Sequence, residues 1–96
     1  MFILQYTIQS TNTAEPITPT QRGGILNGIS FQNVTFQNNG SNVMRLGDSS
    51  VSSTKGIKLS PAGSFTNALS LEYSGTLNDW YVNGTANDIL DILVIQ

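Results

Sequence analysis

Ninety-six residues, 39% hydrophobic but only 10% charged, bound a single small domain with a thin stability margin, because so short a chain buries only about two-thirds of its unfolded surface. Four cations against six acids give a net charge of −2 and no phosphate-neutralising stripe, which excludes nucleic acid as a partner. With no cysteine and no histidine the chain lacks thiolate metal sites, the commonest zinc ligand and the commonest general base.

In chain order, Phe2, Leu4, Tyr6 and Ile8 alternate with Ile3, Gln5, Thr7 and Gln9, the period of two that marks a strand with one buried face. The opening Met-Phe-Ile-Leu has no cationic flank and is broken by Gln5 and Thr7, so no signal peptide is expected, and no run approaches membrane-spanning length. Residues 11–21 form an extended, Pro-containing arm or loop, since Pro16 and Pro19 bias the backbone to extended conformations. Two readings stand here: a surface connection, which is favoured, or an arm over a partner carried by Pro16, Ile17 and Pro19. Gly23-Gly24 closes the segment, and Asn27-Gly28 interrupts the apolar run that begins at Ile25-Leu26.

Ile29 and Phe31 share one parity while Val34 and Phe36 share the other, so burying all four demands a β-bulge or bend near Gln32-Asn33. Asn39-Gly40 then reads as a hairpin turn between this strand and Val43–Leu46. Asp48 to Lys55 is a polar loop with room for a short edge strand around Val51. A Pro61-Ala-Gly63 turn precedes a strand whose buried row is Phe65, Leu69, Leu71 and Tyr73. Trp80-Tyr81-Val82 is a short strand ending at Asn83-Gly84. In the last strand Leu90, Ile92 and Val94 fill one face, while Ile89, Leu93 and Ile95 occupy the other with only Asp91 polar. A strand apolar on both faces is either a central strand covered on both sides or one whose outer face meets another subunit, and a two-layer fold this small favours the second. About eight short strands make the fold class all-β, a small jelly-roll-like antiparallel β-sandwich over residues 1–96.

Catalytic chemistry finds no constellation. Serine is abundant, but no Gly-x-Ser-x-Gly elbow exists and no histidine can activate a nucleophile. Asp79, Asp88 and Asp91 fall near the ends of the last strands, yet turn chemistry accounts for Asp79 and Asp88 better than a calcium site does. Asp91, among apolar neighbours, requires a partner such as Arg22 or Arg45. Tyr73, Trp80 and Tyr81 have the makings of a sugar platform, but aromatic residues at strand positions more often pack in a core. Arg22-Gly-Gly lacks the following helix of a phosphate loop. The triplets at Asn33, Asn39 and Asn83 match a glycosylation pattern at the frequency expected in so Asn- and Thr-rich a chain.

From Ile25 to Ile95 the chain combines an Asn38-Asn-Gly-Ser-Asn42 turn, Val-Met-Arg-Leu-Gly-Asp48, a serine-rich loop, Gly56-Ile-Lys-Leu-Ser-Pro-Ala-Gly-Ser-Phe65 and a closing Asp79-Trp-Tyr-Val with Ile89-Leu-Asp-Ile-Leu-Val-Ile95. This grammar resembles small all-β virion proteins of tailed bacteriophages, including the capsid decoration or cement proteins. The resemblance implies a homotrimer on the virion's capsid surface that clamps the major capsid protein, with no active site, no metal and no cofactor. Its N-terminal strand and Pro-containing segment have no counterpart in that likeness. The expectation is therefore a structural protein and not an enzyme, with no nucleic acid and no membrane as partner, whose subunit interface uses Ile89, Leu93 and Ile95. The alternative is a receptor- or glycan-binding module of a tail or fibre, which requires Trp80 or Tyr81 to be exposed.

Overall fold

A computed structural model describes residues 1–21, 24–25 and 28–96 and places ten strands in them. They are β1 (Phe2–Thr7), β2 (Glu15–Pro16), β3 (Thr20–Gln21), β4 (Gly24–Ile25), β5 (Phe31–Asn38), β6 (Met44–Gly47), β7 (Ile57–Leu59), β8 (Ala68–Gly75), β9 (Tyr81–Asn83) and β10 (Ile89–Ile95). One sheet, here sheet A, has the order β1-β10-β5-β8, and the other, sheet B, has β2-β9-β6-β7. The short β3-β4 ribbon is an insertion between β2 and β5. Without it, the first strand pairs with the last, the second with the seventh, the third with the sixth and the fourth with the fifth, all antiparallel. A ribbon of four nested pairs rolled so that alternate pairs fall in opposite sheets is a jelly roll. The chain is therefore an all-β jelly-roll sandwich.

Pairing register makes the core from rows that cross sheet A. Leu4, Ile92, Phe36 and Leu69 lie side by side, as do Phe2, Val94, Val34 and Leu71. Met44, Leu46, Leu59 and Val82 face them from sheet B, all buried. The parity conflict in β5 is resolved as its spacing requires. The register with β8 shifts between Phe31 and Asn33, so Phe31, Val34 and Phe36 all point inward while Gln32 is left outside.

Four expectations are corrected. Asn39-Gly40 does not close a hairpin, because β5 belongs to sheet A and β6 to sheet B. It is a corner between layers, pinned by the fully buried Asn38, whose Nδ2 donates to the carbonyls of Asn42 and Leu59 while its Oδ1 accepts from Gly40 N–H. Glycine is required at 40 by proximity, since a Cβ there would stand 2.6 Å from the Asp88 side chain. No strand forms around Val51, which is buried beneath its own loop. Phe65 is not in the buried row of β8 but at the tip of the β7–β8 loop.

The fourth correction concerns the arm over residues 11–21. Ile17 is 0% exposed and Pro19 is buried within this chain, so neither is offered to a partner, although Pro16 is exposed. Glu15 and Pro16 pair with Val82 and Tyr81 as the edge strand β2, and Ile17 N–H donates to the Trp80 carbonyl. A sheet edge is where proline's missing donor is tolerated. Arg22, Gly23, Leu26 and Asn27 lie outside the described residues, and with them the pairing of Arg22 with Asp91, the glycine pair and the interrupted apolar run.

Candidate functional site

Because β10 lies in the middle of sheet A, its outward side chains define the centre of that sheet's outer face. Leu93 stands between Ile3 of β1 and Thr35 of β5 in one cross-strand row, and Ile95 follows two residues along. Ile3 is 74% exposed and Ile95 40%, while Leu93 is half-buried between them. The next row is polar: Gln5, Asp91 and Gln37 lie abreast, and Gln5 Nε2 donates to Asp91 Oδ1 at 2.8 Å. Asp91 therefore takes a neutral partner from β1. Arg45 is engaged elsewhere, donating to the carbonyls of Ser53 and Gly56. Ile3, Gln5, Thr35, Gln37, Asp91 and Leu93 line a shallow depression of about 350 Å³.

Ile89, Leu93 and Ile95 thus share the outer face, but Asp91 separates Ile89 from the other two. Ile3 completes the apolar patch instead. Its alternation with Gln5 and Thr7 placed it outward, but only the β1–β10 register seats it against Leu93.

At one end of the sandwich the four connections between the sheets are stitched into a single platform. Asn87 N–H donates to the Ile8 carbonyl and Asn12 N–H to that of Gly84, joining the β1–β2 and β9–β10 connections. The Asp88 carboxylate accepts from both the N–H and Nδ2 of Asn42, and Ala62 N–H donates to the Gly40 carbonyl. Asn12 and Asn87 hold positive φ, 57° and 76°, a conformation asparagine adopts more readily than most side chains. From this platform Phe65 projects with full exposure.

The remaining candidates disperse. Asp79 accepts from the Tyr73 hydroxyl at 2.9 Å, a bond that raises the phenol's pKa, while Asp88 and Asp91 serve Asn42 and Gln5. The three carboxylates do not converge, and among the described residues no group of three acidic side chains is placed to hold a metal. Trp80 is no sugar shelf. Its ring packs 4.9 Å from Phe36 and edge-on to Tyr73 at 5.5 Å, and its Nε1 has no acceptor among the described residues. Tyr81 is half-buried. Of the three glycosylation triplets, Asn33 lies half-buried on the outer face of sheet A, Asn39 is exposed at the corner and Asn83 is buried.

One buried polar cluster escaped the sequence reading. Glu15 is buried, and its carboxylate accepts from the Tyr6 hydroxyl at 2.7 Å and from the N–H groups of Gln9 and Ser10. Three donors satisfy a group that would be costly to bury bare. Burial first, then the hydrogen bond and the charge of Glu15, push the Tyr6 phenol well above its ordinary value. The cluster ties β1 of one sheet to β2 of the other. Comparison with known protein families, characterised proteins and solved structures yields no match for this chain.

Proposed function

We propose that this chain is a structural virion protein that binds the outside of a phage capsid and stabilises it, associating with copies of itself, as a homotrimer, through the outer face of sheet A. The observation that carries this reading is that face. It presents Ile3, Leu93 and Ile95 beside uncharged Thr35 and Gln37, with no loop of the described chain hydrogen-bonded across it. Burying one exposed aliphatic side chain of this size is worth about 1.5–3 kcal/mol before association costs, and less for the half-buried Leu93. Apart from the Asp91 carboxylate, held by Gln5, and Glu72 on β8, this surface is apolar or neutral, which suits contacts that salt weakens only modestly. Many identical sites on a shell add avidity to each contact. The jelly-roll fold is compatible with this role but does not select it, because the same architecture hosts unrelated functions.

The test uses expanded capsids of the phage that encodes the chain, with and without the purified protein. Bound protein should raise their resistance to heat and chelator, and binding should change little between low and high salt. Protein that fails to bind these shells but is retained by host glycans would replace this reading with receptor binding.

A further inference from the structure

Phe65 has the ring of a core residue and none of a core residue's contacts. It is 109% exposed, more than in an extended reference chain, while the loop that carries it is tightly closed. Ser60 N–H donates to the Thr66 carbonyl, and the hydroxyls of Ser60 and Thr66 lie 2.7 Å apart. Ser64 N–H closes the Pro61 turn, and Ala62 N–H anchors the loop to Gly40. At the loop's base Asn38 N–H donates to the Asn67 carbonyl, and Asn67 Nδ2 donates to that of Asn38. These bonds fix the backbone that carries the ring, so the position of Phe65 at this end of the sandwich is set before any partner arrives. The ring is therefore displayed at little further cost in ordering, which is what an interface anchor requires.

The surroundings of the ring select its occupant class. Residues 8–14, 39–43, 60–67 and 83–88 carry Asp88 as their sole charged side chain. An anionic membrane surface or a nucleic acid would call for lysine or arginine around the aromatic residue. A sugar stacked on the ring would draw on several hydroxyl or amide groups beside it, whereas the Ser60 and Thr66 hydroxyls bond one another and Asn67 Nδ2 donates to Asn38, which leaves the Ser64 hydroxyl as the nearest in sequence. A lone aromatic ring in a neutral Asn/Ser/Thr collar fits a protein surface, with the ring as anchor and the collar as the rim that keeps water out.

We infer that Phe65 is the anchor by which this end of the sandwich seats on its protein partner, its ring entering an apolar pocket of the capsid shell. This rests on the capsid reading above and assigns the two surfaces different tasks: the outer face of sheet A joins copies of this chain, and the loop end grips the shell.

The test compares full-length wild type, Phe65→Ser and Phe65→Leu for binding to expanded capsids of the encoding phage. Circular dichroism and sedimentation serve as controls. Because the ring touches nothing in its own chain, Phe65→Ser should keep the wild-type melting temperature and oligomeric state. It should bind shells at least about 30-fold more weakly, the loss expected for a central aromatic anchor, with Phe65→Leu in between. Wild-type binding by Phe65→Ser would overturn the inference and leave the capsid reading standing. Absence of binding by wild type itself would overturn both. Phe65-dependent capture on phosphatidylserine vesicles, with no such dependence on shells, would transfer the ring to a membrane and overturn the protein pocket.

Discussion

The two outer faces of the sandwich are built from the same alternating strands and end differently. On sheet B the chain's own loops cover the outward side of the central strands β6 and β9, while Pro16 and Lys58 on the edge strands stay exposed. Arg45 reaches out to the carbonyls of Ser53 and Gly56, and the buried Val51 folds against the outward side of β6 at Gly47 and beside Gly56. The outward-facing Asn83 is buried too, with its amide against Asn12. On sheet A, Ile3, Leu93 and Ile95 have no such roof. Alternation alone tells which residues leave the core. Whether an outward residue then meets a loop, a partner or solvent depends on the lengths and chemistry of the connections.

Substitutions should separate the two faces, with damage to the closed one read in folding. Gly56 holds a φ of +127°, and a Cβ there would stand 2.7 Å from Val51 Cγ2 and 2.8 Å from the Leu46 carbonyl oxygen. Gly56→Ala should therefore destabilise by about 3 kcal/mol, the upper end for a strained backbone position, measurable by urea titration. An unchanged midpoint would mean that the lid over sheet B contributes nothing.

A smaller loss is expected where the closed layer hangs on its neighbour. Tyr6→Phe removes one of the three donors to Glu15 and should cost about 1.5 kcal/mol, since two backbone donors remain. The phenol's pKa is raised in the folded state, so the native protein holds this proton more tightly than the unfolded chain does. That contribution is complete below the ordinary value of 10.0 and drains away as the pH climbs past it. Wild type should lose stability above about pH 10 more steeply than Tyr6→Phe in chemical denaturation. Parallel slopes would remove the linkage.

The smallest effect on folding belongs to the open face. Leu93→Asp should cost the isolated chain about 1 kcal/mol, the span of strand propensity at a half-buried position, while abolishing the proposed self-association. Sedimentation at micromolar concentration reads the difference. A wild-type protein that sediments as a monomer would defeat the trimer.

The strands and their facing were legible because they follow from parity. The conflict between Phe31 and Val34 could only be settled by a bulge, and a bulge lies there. The layer that receives each strand was not legible, since Asn39-Gly40 specifies a reversal but not whether the next strand returns beside the last one or crosses to the other sheet. Phe65 shares the parity of Leu69 and Leu71, and nothing in that row signals that the strand begins only at Ala68. Two prolines left residues 11–21 open to a second reading as an arm beside the favoured surface connection, although a two-residue edge strand and one buried isoleucine suffice to hold them down. On the outer face Ile89, Leu93 and Ile95 were legible as outward, whereas Ile3 joined them only through long-range register. Glu15 escaped notice because its donors, Tyr6 and the backbone of Gln9 and Ser10, come from the end of another strand and the turn after it.

The last strand of this chain is the second in its sheet, wedged between the first strand and the fifth. Until β10 arrives, β1 has no partner in sheet A, and β5 and β8 form a hairpin-like pair with an open edge. Local contacts cannot close the sandwich in stages as a helical bundle closes. The decisive pairings span nearly the whole chain, Phe2 with Val94 among them. Such a topology has a high contact order and folds on the scale of milliseconds to seconds. During synthesis at about 5–20 residues per second, β1 is made several seconds before β10, the strand it pairs with. The apolar rows of sheet A stay unsealed for that interval, so a ribosome stalled before Ile89 would hold an aggregation-prone chain, and β10 is the keystone that closes the sandwich.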